Sequence, residues 1–195
     1  MRIAVVGTSG SGKSTLAERL AGALDVPFIE LDAINWQPGW VGLNATDVPE
    51  FKRRVDAAIA ADAWVLAGNY GAVRDAVWSR ATDLVWLDLP RGVVMRRVIR
   101  RSIVRALDGK ELWPGTGNRE NWRMWLSPEH PIRWAWSTYH RRKREYAQRI
   151  SDPKWSHLTV HRLTRPAQAE ALVRELASSA PSVSAPTRRA TSPVR

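Results

Sequence analysis

The 195-residue chain has no cysteine and only two phenylalanines. Without cysteine there are no disulfides and no thiolate metal sites, and a reducing cytoplasm is the expected location. No apolar run approaches the ~18–20 residues of a membrane span. The start, Met1 to Val6, passes through one arginine into a strand-like run, unlike a signal peptide. No membrane partner is expected. Acidic residues are scarce, with 19 Asp/Glu against 30 Lys/Arg and a net charge of +11. Such a balance suggests a nucleic-acid binder, but the excess is local. Residues 1–90 carry 8 Lys/Arg against 11 Asp/Glu, whereas residues 91–149 carry 15 against 5. Charge focused in one internal segment suits several phosphates in a cleft as well as a long polyanion. A solvated basic face is the plainer alternative.

With 44% hydrophobic residues the chain can build one globular core. Arg2-Ile-Ala-Val-Val-Gly7 is a short β-branched run ended by glycine, the pattern of a buried strand. Leu16, Leu20 and Leu24 then place a helix over 13–24. Val26–Leu31 reads as a second strand. Asp47 with Glu50 gives a capping-box start to a helix lined by Phe51, Val55 and Ile59. Trp64–Ala67, Leu84–Leu87 and His157–Leu163 supply three more strands. Val94 and Val98 mark a helix over about 91–106, and Ala169, Leu172, Val173 and Leu176 mark a last one. This alternation predicts an α/β fold, a five-stranded parallel sheet covered by helices on both faces. The domain is expected over residues 1–177. Within it, 106–140 is a basic, Trp-rich insertion acting as a lid, and five of the eleven tryptophans fall there. Residues 178–195 are rich in Ser, Ala, Pro and Arg and are expected to be a disordered tail. Trp64, Trp78 and Trp86 are assigned to the core.

Gly7-Thr-Ser-Gly-Ser-Gly-Lys-Ser14 satisfies G-x-x-x-x-G-K-[ST], with the required strand before and helix after. Gly7, Ser9, Gly10, Ser11, Gly12, Lys13, Ser14 and Thr15 are therefore candidate ATP contacts. The glycines let successive N–H groups turn inward around an anion, and the helix adds its positive dipole end. Lys13 is expected on the β- and γ-phosphates and Ser14 on Mg²⁺. There is no Asn-Lys-x-Asp motif of the kind a GTPase uses to read its base. The chain is also short for a motor ATPase, which leaves small-substrate phosphotransferases in front. At the end of the second strand stand Glu30 and Asp32, where α/β sheets bind ligands. Two positions apart on a strand they share a face. Asp32 is the candidate to orient or deprotonate an acceptor, and Glu30 to hold Mg²⁺ through water. An ordinary polar strand end remains the alternative for both.

Gly7–Ser14, Glu30-Leu-Asp32, Gly68-Asn-Tyr70 and Leu87-Asp-Leu-Pro90 together resemble the nucleoside monophosphate kinase and shikimate kinase superfamily. In shikimate kinases an Asp-x-Asp takes the place of Glu30-Leu-Asp32, its second acid contacting substrate. With Trp36, Trp40 and the basic Trp-rich segment, the order over about residues 1–175 is similar to adenylate-kinase-like proteins named for DNA topology modulation. The resemblance implies strand order 2-3-1-4-5, ATP as donor and Mg²⁺. One departure counts against adenylate kinase activity proper. Where those enzymes carry Asp-Gly-x-Pro-Arg, this chain has Ala67-Gly68-Asn69-Tyr70.

Aligned from Asp88, the phosphate-binding lid arginines of that family fall on Arg97 and Arg101, an i, i+4 pair continued by Arg105. Guanidinium forks there would follow the charge of a transferring phosphoryl group. Arg74 lies where monophosphate kinases hold the acceptor phosphate, with Arg54 assisting, or both are surface residues. Trp36 and Trp40 either pack on an acceptor ring or anchor their loop. Trp134, Trp136 and Tyr139 are assigned to packing. The expected partners are ATP and a small-molecule acceptor. In the rival reading, a nucleic-acid-binding NTPase or regulator grips a phosphate backbone with residues 91–149. The acidic pair speaks against this, because carboxylates repel such a backbone.

Overall fold

The computed structural model describes residues 1–127 and 130–179. The chain runs β1 (Arg2–Gly7), α1 (Lys13–Leu24), β2 (Phe28–Glu30), α2 (Leu31–Asn35), β3 (Trp36–Gln37) and β4 (Val41–Gly42). It continues through α3 (Leu43–Thr46), α4 (Val48–Ala58), β5 (Trp64–Ala67), α5 (Arg74–Arg80) and β6 (Asp83–Leu87). α6 (Arg91–Asp108), α7 (Pro131–Ile150), β7 (Thr159–Leu163) and α8 (Ala167–Ser179) complete it. Five strands form a parallel sheet in the order β2-β5-β1-β6-β7. The numbering departs from the expected 2-3-1-4-5 because the chain adds a short antiparallel hairpin, β3–β4, that the sequence reading does not place. Counted without the hairpin, the five parallel strands follow the expected arrangement.

The central strand β1 is buried on both sides from Ile3 to Gly7, as its unbroken apolar run requires. One face of the sheet packs under α4 and α5, where Phe51, Val55, Val77 and Trp78 meet Leu66, Leu84 and Trp86. The other face packs on α1 and α8 through Leu16, Leu20, Leu172 and Leu176. Trp64, Trp78 and Trp86 are core residues, as expected. The buried Trp64 indole donates to Ile59 O at 3.2 Å, so its polar atom is satisfied. At the start of α4, Asp47 accepts from the Glu50 N–H at 3.0 Å. Glu50 does not return the bond but pairs with Arg53 and Arg54, so only half of the capping box forms.

Three expectations are corrected. β2 ends at Glu30, and Leu31 opens the short helix α2, so Asp32 lies in a helical turn and not on the strand. Leu31 is 1% exposed and pressed against Gly68, where an added Cβ would lie 2.6 Å from the Leu31 Cβ. This packing turns the chain. The second correction concerns 106–140. α6 runs on to Asp108, and Pro131–His140 is the first half of the 20-residue α7. Ile132, Ala135 and Tyr139, spaced for one helical face, pack on Val94 and Val98 of α6, and the Tyr139 hydroxyl donates to Leu89 O at 2.8 Å. The insertion is thus limited to the stretch between the two helices, which includes a short 3-10 helix at Trp122–Leu126. Third, α8 continues through Ser179, two residues into the expected tail. The rest of that tail, 180–195, lies outside the described residues. No helix among the described residues is long and apolar enough to cross a membrane.

Gly68 combines a φ of +153° with that contact to Leu31. Gly68→Ala is expected to destabilise the protein by about 2 kcal/mol or more. Urea unfolding checks this, and a midpoint equal to the parent's would refute it.

Candidate active site

The sheet delivers its functional groups to one edge. β1 leads into the loop 8–12, which folds back with Ser11 N–H bonded to Thr8 O at 3.0 Å. Gly10 and Gly12 sit at φ of +84° and +97°, the left-handed region that lets neighbouring peptides aim their N–H groups at one point. Gly10 also lies against α6, where an added Cβ would be 2.7 Å from that of Val98. The loop and the arginine helix are therefore in direct contact.

Lys13 opens α1 and donates to Thr8 O at 3.3 Å. Burial lowers its pKa to about 8; Asp32 and Glu30 work against the shift, while Arg101 and Arg142 add to it. Ser14 donates to Glu30 Oε1 at 2.6 Å. Among the described residues no group of three His, Cys, Asp or Glu could hold a metal by itself. A hydroxyl beside a carboxylate at the mouth of the loop does fit a hard divalent cation that takes its remaining ligands from phosphate and water, as Mg²⁺ does.

The arginines of α6 divide. Arg97 donates to Ser11 O at 2.9 Å and Arg101 to Ser9 Oγ at 3.4 Å, so both reach the loop. Burial and neighbouring Arg105 pull the Arg101 guanidinium below its ordinary value, against Glu120, Asp32 and Glu30. The Nε of Arg101 and the Oγ of Ser11 are buried without a partner. Arg105 turns away to Glu120 at 3.9 Å. Glu120, buried in the insertion, also meets His130 Nε2 at 2.9 Å. Thr15 is exposed on the first turn of α1.

On the side of the cleft that carries Asp32, Tyr70 donates its hydroxyl to Asp32 Oδ1 at 2.8 Å. Burial first, and then the charge of Asp32, push the Tyr70 phenol well above its ordinary value, so it stays a donor. Arg74 pairs with Glu145 of α7 at 3.2 Å and lines a small cavity with Tyr70, Trp78 and Tyr146. Arg54 bonds Glu50 at 2.7 Å and Gln37 at 3.2 Å, away from the loop. Trp36 is stacked on Trp113 at 6.2 Å and meets Trp40 edge-on at 5.6 Å. Asn118 completes this clasp, accepting from Trp40 N–H and donating to Gln37 O, both at 2.9 Å. The tryptophans thus bind the β3–β4 hairpin to the insertion. Asp88, buried at the end of β6, is held by Arg162 at 2.9 Å and Lys143 at 3.0 Å.

Three residues escaped the sequence reading as site groups. Asn69 bonds both peptide groups of Gly7, and Tyr70 holds Asp32. Arg142 of α7 brings a further cation within reach of Lys13 and Tyr70. The helical spacing of Tyr139 and Tyr146 was the available signal for Arg142, since it sets which side of α7 faces the sheet.

A family model for ATPases associated with various cellular activities (AAA) matches residues 3–59, from β1 to the end of α4. No curated protein matches the chain. Among solved structures, the shikimate kinase from Acinetobacter baumannii in complex with shikimate is 19% identical, with a TM-score of 0.54 and coverage of 89% of each chain. The shikimate kinase from Bacteroides thetaiotaomicron is 19% identical at a TM-score of 0.50, covering 92% of this chain and 97% of that one. The shikimate kinase from Aquifex aeolicus is 18% identical at 0.50, covering 92% and 95%. The chain shares the P-loop α/β fold of these proteins.

Lys13 generates a pH dependence. Below about pH 8 it carries its charge, and it loses the proton as pH rises through that value. A phosphate bound at the loop restores the charge, so ATP affinity should fall above about pH 8, by up to tenfold per unit. At about pH 9 binding should take up a proton, seen by calorimetry in buffers of different ionisation enthalpy. Affinity that is flat from pH 7 to 9.5, without proton uptake, would contradict this.

Proposed function

We propose that residues 1–177 form an ATP- and Mg²⁺-dependent kinase that transfers the γ-phosphoryl group to a hydroxyl of a small molecule. The observation that carries the reading is the convergence on Lys13. The charges of Glu30 and Asp32, of Arg101 and of Arg142, from three different stretches of chain, all act on that one ammonium. A loop that only bound nucleotide could use Glu30 at the metal but would have no need of Asp32 as a second carboxylate in the cleft. Phosphoryl transfer calls for both halves, cations that follow the moving negative charge and an acid-base group at the incoming hydroxyl.

In this reading the loop N–H groups and Lys13 hold the β- and γ-phosphates. Ser14, with Glu30 acting through water, would hold Mg²⁺, which would supply neutralising positive charge to the phosphates. Arg97 and Arg101 stabilise the phosphoryl group in transit. Asp32, oriented by the Tyr70 hydroxyl, positions the acceptor and takes its proton as the acceptor oxygen bonds to phosphorus and the ADP oxygen leaves. The insertion excludes water, so the phosphoryl group is not lost to hydrolysis. The fold shared with shikimate kinases and the AAA match over 3–59 support an ATP-using enzyme. The order of Gly68-Asn-Tyr70 and Leu87-Asp-Leu-Pro90 supports a place near the adenylate-kinase-like proteins named for DNA topology modulation, and the absence of cysteine supports a cytoplasmic location.

The test is incubation with labelled ATP and a fractionated metabolite extract. A newly labelled small product is expected. Steeply salt-dependent stimulation of ATP hydrolysis by DNA or RNA, with no such product, would favour the nucleic-acid reading instead. Lys13→Ala should abolish transfer while the protein stays folded by circular dichroism. Asp32→Asn should keep ATP binding but slow transfer on the order of 10²–10⁴-fold. Parent-like rates from either variant would sink the assignment.

A further inference from the structure

The phosphate loop begins where the sheet runs out of partners. In a parallel ladder, residues i and i+2 turn their peptide groups toward the same neighbouring strand. Val5 is in register with Ala67 of β5, and its carbonyl accepts from the Gly68 N–H at 3.3 Å. Gly7 therefore also turns toward β5. That strand ends at Ala67, and the chain leaves it at Gly68 with a φ of +153°. No further peptide of β5 reaches Gly7.

The side chain of Asn69 supplies what is missing. Its Oδ1 accepts from the Gly7 N–H at 3.3 Å, and its Nδ2 donates to the Gly7 carbonyl. A carboxamide offers the donor and acceptor of a peptide unit, so Asn69 acts as one more rung of the ladder. The rung matters because Gly7 is buried and the loop closes tightly on it. An added Cβ would stand 2.8 Å from Ser11 Oγ and 2.9 Å from Leu87 O. Released peptide groups there would have no room for water and would have to turn, and the loop N–H groups would turn with them.

We propose that Asn69 is a positioning residue of the nucleotide site: it fixes the first peptide of the phosphate loop and touches no phosphate itself. The proposal rests on reading that loop as the ATP site. The next residue, Tyr70, holds Asp32, so adjacent side chains of one turn set the donor half and the acceptor half of the cleft.

The experiment compares parent, Asn69→Ala and Asn69→Asp. Amide hydrogen exchange is followed over residues 3–16 without nucleotide. ATP with Mg²⁺ is then titrated by calorimetry, and the thermal midpoint is recorded. In Asn69→Ala, exchange should rise in the loop while the rest of β1, β5 and β6 keeps its protection. ATP affinity should fall roughly tenfold, in keeping with two lost hydrogen bonds, with the midpoint within a few degrees of the parent's. Asn69→Asp keeps the acceptor for the Gly7 N–H and loses the donor, so its loop exchange should lie between the two. It also serves if the alanine variant does not fold.

Parent-like loop exchange and ATP affinity in Asn69→Ala would overturn the proposal. Exchange rising throughout the sheet with a collapsed midpoint would overturn it too, making Asn69 a general support of the fold. Parent-like exchange in Asn69→Asp would remove the donor half of the argument and overturn the rung. If the parent itself does not bind ATP but the loop still loosens in Asn69→Ala, the nucleotide reading fails and the clasp stands.

Discussion

Like charges crowded around a single loop are the constraint to which the rest of the structure answers. Lys13, Arg97 and Arg101 all reach the loop 8–12 between β1 and α1, and the charge of Arg142 acts on Lys13 as well. Unrelieved, that concentration of positive charge in a partly buried place opposes folding; burial is the main cause of the lowered pKa of Lys13, and Arg101 and Arg142 add to it. Relief comes from several directions. Carbonyls of Thr8 and Ser11 accept from Lys13 and Arg97. Asp32 and Glu30 lie close enough to hold up the Lys13 charge. What is left over is a set of unsatisfied donors, Arg101 Nε among them, suited to an anion brought in from outside.

α7 does much to keep this arrangement in place. Tyr139 and Ala135 bind it to α6, the helix that carries the lid arginines. Glu145 reaches Arg74 across the acceptor side. Lys143 reaches Asp88, which Arg162 of β7 holds as well. One helix thus touches the arginine helix, the acceptor side and the far edge of the sheet. Residues that are neighbours on one helix have three separate duties in space.

The loop, the five parallel strands and the helices α1, α4, α6 and α8 were legible because each has a local signature, whereas α2, α3, α5 and α7 were not placed. A glycine pattern announces the first, apolar runs the second, and 3.6-residue periodicity the third. α1 and β5 match to the residue. What escaped depended on distant contacts. The turn into α2 follows from Leu31 packing on Gly68, a partner almost forty positions away, and no window around Leu31 contains it. Asn69 looks like an ordinary turn residue until β5 is seen to stop one rung short of Gly7. Arg74 read on sequence as a phosphate contact or a surface residue, and its ion pair with Glu145, 71 positions away, was not visible there. Trp36 followed the same pattern, since the ring stacked on it is Trp113. Arg97 and Arg101 lie on one helix whose phase is set locally by Val94 and Val98, and both side chains bond to the loop.

The clasp of Trp36, Trp40, Trp113 and Asn118 bears on how this fold can be altered. In the linear chain the hairpin and the insertion are separate excursions, on opposite sides of β5 and β6, and look like parts that could be exchanged one at a time. In space they share a three-ring cluster and a pair of backbone bonds. A transplant of the insertion alone would strip two tryptophans of their third ring and leave the hairpin's peptide groups at Gln37 and Trp40 without Asn118. The two excursions are one heritable unit, and recombination that respects the strands but cuts between them would break it.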